Sequence, residues 1–166
     1  MSREIQLTQG QVAIVCDCHA HLVEGKKWCA QWMPGTKSFR AVRQASAQER
    51  VGGAGQTVLM HAVINSTPKG FHTDHINHNT LDNRCANLRT ATANENHHNT
   101  NKSVNNKSGY KGVRWKKDKQ KWEVAITVTV KVKYLGAFSN PEDAGREYDA
   151  AARELHGEFA KLNFPE

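Results

Sequence analysis

The chain has 166 residues, enough for one medium domain or two small ones, with 38% hydrophobic residues and a formal charge of +7 from 23 Lys+Arg against 16 Asp+Glu. No run approaches the ~18 apolar residues of a membrane span, and the polar opening MSREIQLTQG lacks the apolar centre of a secretory signal, so a cytoplasmic protein without a membrane partner is expected. The four cysteines, Cys16, Cys18, Cys29 and Cys85, form no CxxC pair and no regular disulfide framework.

Charge is unevenly placed. Residues 1–60 carry +3 and residues 61–100 balance, whereas residues 101–133 hold ten Lys/Arg against Asp118 and Glu123, and residues 134–166 carry −4. A local +8 over 33 residues is a basic face that attracts polyanions, and it points to nucleic acid.

In chain order, residues 1–60 read as a small β-rich region: QVAIV (11–15), WCAQW (28–32) and FRAVR (39–43) are strand-like, and GGAG at 52–55 is a turn before TVLM. Residues 61–100 hold six of the nine histidines, and residues 61–107 hold eleven of the thirteen asparagines. The polar run 101–109 reads as a linker. From Tyr110 onward strands return: YKGVRW, then WEVAITVTVKVKYLGAF. After Asn140 the period becomes helical, with Ala144, Tyr148, Ala151, Ala152 and Leu155 on one face. Ser139 or Asn140 can cap this helix, Pro141 suits its first turn and Gly157 ends it. The division is therefore 1–60, 61–100, 101–109 and 110–166, in an α+β chain.

The Asn/His segment has a specific spelling: Asp74-His75, then Leu81-Asp82-Asn83-Arg84, Asn87-Leu88-Arg89 and an Asn-rich helix bearing Asn96. It resembles the HNH nuclease family, in the branch of phage and intron-encoded homing enzymes. The resemblance implies a ββα-metal motif, a two-stranded hairpin followed by a helix. In it Asp74 and Asn96 hold one metal ion, His75 is the general base and Asn87 braces the hairpin. Independently of the family, Asp74 and Asn96 are hard oxygen donors of the kind Mg²⁺ prefers, with Mn²⁺ able to substitute. A neutral histidine at pH 7 is suited to take a proton. Consecutive strand residues face opposite ways, so the chain is expected to bend or end at Asp74-His75. His61 is read as structural; His72, His78, His97 and His98 are read as surface or phosphate neighbours. Arg84 and Arg89 are read as DNA contacts, with an internal ion pair as the other reading. Cys16, Cys18, His19 and His21 crowd into six residues, too tight for spaced ligand pairs, so structural zinc is not expected and Cys85 is read as incidental.

Residues 108–165 resemble the ethylene-response-factor (Apetala-2) type DNA-binding domain, through Tyr110–Arg114, Trp122–Ile126, Tyr134–Phe138 and the ending Leu-Asn-Phe-Pro. That resemblance implies a three-stranded antiparallel sheet packed on one C-terminal helix, with the sheet reading the DNA groove. Lys111, Arg114, Lys116, Thr127 and Tyr134 are the expected DNA contacts, and Trp115 and Trp122 the expected core. The row Trp122, Val124, Ile126 and Val128 packs on the helix, and Glu123, Ala125, Thr127 and Thr129 form the other face. The hairpin near Thr129-Val130 contains no Gly, Asn, Asp or Pro, so its turn is either wider than two residues or strained.

These readings combine into a Mg²⁺-dependent HNH endonuclease of homing type, acting on double-stranded DNA in a phage or bacterial host cell. Without a heptad seam or an uncommitted apolar stripe, it is expected to work as a monomer on an asymmetric site. One metal and one base serve one phosphate, so it is expected to nick, leaving 5′-phosphate and 3′-hydroxyl ends. The rival reading is a non-catalytic DNA-binding regulator with a relict HNH fold.

Overall fold

Runs rich in β-branched and aromatic residues become short strands, as their propensity favours. The structure, a computed structural model that describes residues 1–52, 55–103 and 105–165, divides into two units, Met1–Ala93 and Asn94–Glu166. Gly53 and Ala54 of the turn expected at 52–55, Val104 of the linker, and Glu166 at the end of the last expected domain lie outside the described residues.

In the first unit β1 (Ser2–Gln6) pairs antiparallel with β2 (Val12–Cys16), which runs into a single helical turn, α1 (Asp17–Ala20). Next come β3 (Cys29–Met33) and β4 (Ser38–Gln44). They are followed by α2 (Ala47–Val51), whose start is closed by a reciprocal Ser46/Glu49 capping box. β5 (Thr57–Leu59) completes an antiparallel β3-β4-β5 sheet and leads into α3 (Met60–Ile64). β6 (His72–His75) forms an antiparallel hairpin with β8 (Leu88–Ala91), and between them β7 (Asp82–Asn83) pairs parallel with β2.

The alternation of β2 turns Ala13 and Val15 inward, both fully buried. They join Val23, Trp28, Ala41, Met60, Ile64 and Leu88 in one core. The buried Trp28 indole donates to the Val23 carbonyl at 2.9 Å, so its N–H is satisfied. This core takes residues from both sides of position 60, so the β-rich region and the hairpin share one interior rather than each building its own.

The second unit begins on α4 (Ala93–His98) and continues through β9 (Val113–Lys116), β10 (Lys121–Val128), β11 (Lys131–Phe138) and α5 (Pro141–His156). The sheet is antiparallel in the order β11-β10-β9, with a bulge at Val124/Ala125. Asn140 caps α5 by accepting from Glu142 N–H, Pro141 occupies the first turn, and Gly157 follows the helix at φ 54°. Val113, Val124 and Ile126 pack on Ala144, Tyr148, Ala151 and Ala152, the stripe that the helical period picks out. The Leu-Asn-Phe-Pro ending is clamped by buried Asp149, which accepts from Asn163 and Phe164 N–H at 2.8 Å each.

Trp115 departs from its expected place in the core, and the Thr129-Val130 turn takes the second of its two readings. Trp115 shares the Trp122 row, its register partner, yet stays 44% exposed because that row runs past the part of the sheet that packs on α5. The Thr129-Val130 turn is two residues long and strained: Thr129 sits at φ 58°, a region β-branched residues avoid. Thr129→Gly is expected to raise stability by about 1 kcal/mol, strain relief outweighing glycine's backbone entropy, measured as a higher denaturant midpoint. Gly112 is the opposite case: at φ 76° a Cβ there would lie 2.0 Å from the Tyr148 ring. Gly112→Ala is expected to lose about 3 kcal/mol in the same measurement.

Candidate functional site

The segment between β6 and β8 is built by asparagines bonding to nearby backbone, as short amide side chains do in turns. Asn77 Oδ1 accepts from Asn79 N–H at 2.8 Å and Asn79 Oδ1 from Leu81 N–H at 3.1 Å. Buried Asn87 spans the hairpin: its Oδ1 accepts from Asn77 N–H at 2.9 Å and its Nδ2 donates to Asp82 O at 2.7 Å. Asp82 is itself buried, gripped by both edges of the Arg84 guanidinium at 2.7 Å, which holds its carboxyl below the usual carboxylate range.

β6 ends on His75, so Asp74 and His75 sit where regular strand geometry stops, and both are buried at 6% exposure. Asp74 Oδ2 accepts from Arg89 Nε at 2.8 Å and lies 2.7 Å from its terminal nitrogen, across the register pair Asp74↔Arg89. His75 Nε2 lies 3.1 Å from Asn83 Oδ1. Because Asn83 directs its Nδ2 toward Leu81 O and Met60 Sδ, its oxygen faces the imidazole, which places the proton on Nε2 and the lone pair on Nδ1. Burial pushes the His75 pKa below its ordinary value, partly countered by Asn83 and Asp74, and the ring stays neutral at pH 7. His61, on α3, meets His75 edge-to-face at 5.1 Å, and burial lowers its own pKa to about 3.

Asp74, His75 and Asn87 therefore gather on one hairpin, and Asn96 lies on α4 in the second unit. Arg84 and Arg89 both close internal ion pairs, Arg89 with its side chain only 12% exposed and Arg84 with 48%. Sequence reasoning assigned no role to Asn83 or Asn77; their signal was the density of asparagine in a loop. It also treated the Cys16–His21 cluster as self-contained. Cys85 joins Cys16, Cys18 and His19, with the ligand atoms of all four within 4.8 Å of one another.

In the second unit Arg114, Lys116, Thr127 and Tyr134 lie on the sheet strands, Arg114 with its side chain 71% exposed and Tyr134 55% exposed. Arg114 and Lys119 both pair with buried Glu123, at 3.0 and 2.8 Å. Lys111, another expected DNA contact, is bonded within its own unit. Its ammonium donates to the His98 and Thr100 carbonyls at 2.7 Å each, and burial lowers its pKa to about 8. Among the described residues, no helix is long and apolar enough to cross a membrane.

The HNH endonuclease family profile matches residues 66–103. The chain is 36% identical over 95 residues to Protein 3.8 of Escherichia phage T7, covering 57% of this chain and 78% of the phage protein. It is 34% identical over 96 residues to an uncharacterized HNH endonuclease of Acanthamoeba polyphaga mimivirus, covering 58% of this chain and 49% of that protein. A C-terminal portion is 47% identical over 58 residues to an ethylene-responsive transcription factor of Arabidopsis thaliana, covering 34% of this chain and 32% of the plant protein. No solved structure matches significantly.

Asn87→Ala removes two buried hydrogen bonds and leaves Asp82 O without its amide donor. A loss of about 2 kcal/mol is expected in chemical denaturation.

Proposed function

Because the chain belongs to the HNH endonuclease family, we propose that it is a metal-dependent DNA endonuclease of homing type. It nicks one strand of double-stranded DNA and leaves 5′-phosphate and 3′-hydroxyl ends. The observation that carries this reading is the buried Asp74–His75 pair at the end of β6, a carboxylate beside an imidazole kept neutral by burial.

The donor set fits a hard divalent cation. Asp74 offers a carboxylate oriented by Arg89, and Asn96, on the sequence resemblance, an amide oxygen. Both are donors that suit Mg²⁺, with Mn²⁺ able to substitute. A divalent ion at such a site supplies neutralisation of the charge that grows on the phosphate. His75 takes the proton of the attacking water at Nδ1, while Asn83 holds Nε2–H and so fixes the tautomer and the ring plane. Asn87 keeps the hairpin closed beneath them.

DNA is held by the basic strands of the second unit. Arg114, Lys116, Thr127 and Tyr134 are the proposed contacts there, Lys111 being committed to carbonyls within its unit. Lysine grips phosphate as a point charge, and arginine forks onto guanine, so this Lys-rich surface favours affinity over sequence discrimination. Arg84, half exposed, adds a backbone contact beside the hairpin. One Asp74/His75 set per chain serves one scissile phosphate per encounter, which supports a monomer on an asymmetric site.

The test is incubation with supercoiled plasmid, in Mg²⁺ or in chelator. Open circle is expected to form well before linear product with Mg²⁺ and not to form in chelator. His75→Ala is expected to cut at least about a hundredfold more slowly, the scale of a lost general base, with DNA affinity within a few-fold of the parent. Tight DNA binding by the parent chain without cleavage in Mg²⁺ would leave the non-catalytic regulator as the better reading.

A further inference from the structure

Three cysteines and a histidine, none of them given a part in cleavage, meet in the first unit. Cys16 ends β2, Cys18 and His19 lie on α1, and Cys85 begins the turn after β7. Their ligand atoms, three Sγ and one imidazole nitrogen, all lie within 4.8 Å of one another. We propose that Cys16, Cys18, His19 and Cys85 form a structural zinc site.

The donor chemistry and the spacing agree on this metal. Thiolate and imidazole together are the ligands of closed tetrahedral zinc centres, and Cys₃His is one of their standard compositions. With zinc–sulfur bonds near 2.3 Å and zinc–nitrogen bonds near 2.0 Å, tetrahedral edges come to about 3.8 Å for S···S and about 3.5 Å for S···N. Cys18 Sγ and His19 Nδ1 are 3.3 Å apart, already close to such an edge. Cys16 and Cys85 Sγ approach to 2.9 Å, well beyond a disulfide bond of about 2.05 Å. Opening that pair by ~0.9 Å gives the tetrahedral edge. All four cysteines are free thiols, and Cys16 Sγ already accepts the Cys85 backbone N–H at 3.1 Å, the kind of hydrogen bond that supports a ligating sulfur.

The position gives the site a purpose. Cys85 lies two residues beyond Asn83, which holds His75, and two before Asn87, which braces the hairpin. A zinc ion there ties the end of β2 and all of α1 to that turn, fixing a segment whose own strand, β7, is only two residues long. Whether or not the chain cuts DNA, this role stands.

The test is metal analysis of the full chain, purified under reducing conditions and exchanged through chelator to strip weakly held ions. One zinc per chain is expected. Replacement by Co²⁺ is expected to give the intense thiolate-to-cobalt charge-transfer band and tetrahedral visible bands, which distinguish this site from an all-oxygen one at Asp74. Cys85→Ser and Cys16→Ser are expected to lose more than about tenfold in zinc affinity, and His21→Ala, outside the cluster, to keep it. The parent chain's cobalt spectrum decides the question even if the cysteine variants fail to fold. Absence of tightly held metal, a cobalt spectrum without the charge-transfer band, or a Cys16–Cys85 disulfide in the purified chain would overturn the proposal.

Discussion

The first unit depends on a parallel ladder of two register pairs, Ile14↔Asp82 and Val15↔Asn83. Parallel pairing between segments nearly 70 residues apart closes a long loop, an entropic cost that so short a ladder cannot offset by itself. Its surroundings supply the rest. Val15, on the buried face of β2, packs in the core with Met60 and Leu88, so the ladder forms over apolar burial worth about 1.5–3 kcal/mol for each large side chain. Asn83, fully buried, then turns one amide to His75 and to Met60, linking the ladder to the hairpin. The same ladder delivers Cys85 to Cys16. Displacing it would disturb the tautomer of His75 and the sulfur cluster together.

The second unit solves a different problem, how to keep one face of a small sheet open. α5 covers the row that contains Val124 and Ile126, and the opposite row keeps Thr127 exposed. On that open side Glu123 is nearly buried beneath the Arg114 and Lys119 side chains that pair with it. A carboxylate there lowers the local positive charge, and it also fixes two long cations over the sheet, reducing the side-chain entropy lost when they meet a ligand. The clamp of Asp149 on Asn163 and Phe164 anchors the chain end against α5.

How much of this was legible follows from how far each feature reaches along the chain. The α5 stripe and the alternation in β10 are local periodicities, and both appear as read. The end of β6 at Asp74-His75 was also local, since a regular strand cannot turn both side chains to one purpose. Trp115 was misread because periodicity names a face without saying how far a covering helix extends. The Thr129-Val130 turn left two readings, and the core decided: burial of Val124 and Ile126 holds the register tight enough to strain Thr129. The Cys16–Cys85 meeting was out of reach, because nothing in either segment announces a parallel partner 69 residues away.

The interior of the hairpin bears on whether the nuclease site is live or relict. Asp74, His75, Asp82, Asn83 and Asn87 are all buried, in a unit whose apolar core is small. Burying such groups is favourable only when each is closely partnered, and apolar residues of similar volume commonly serve stability as well or better. Asp82 and Asn87 have an evident structural use, since they hold the loop shut. Asp74 and His75 are partnered as well, Asp74 with Arg89 across the β6–β8 pair and His75 with Asn83 of the ladder. Under the proposed cleavage reading the same two groups take on a second task, one to hold an ion and one to take a proton.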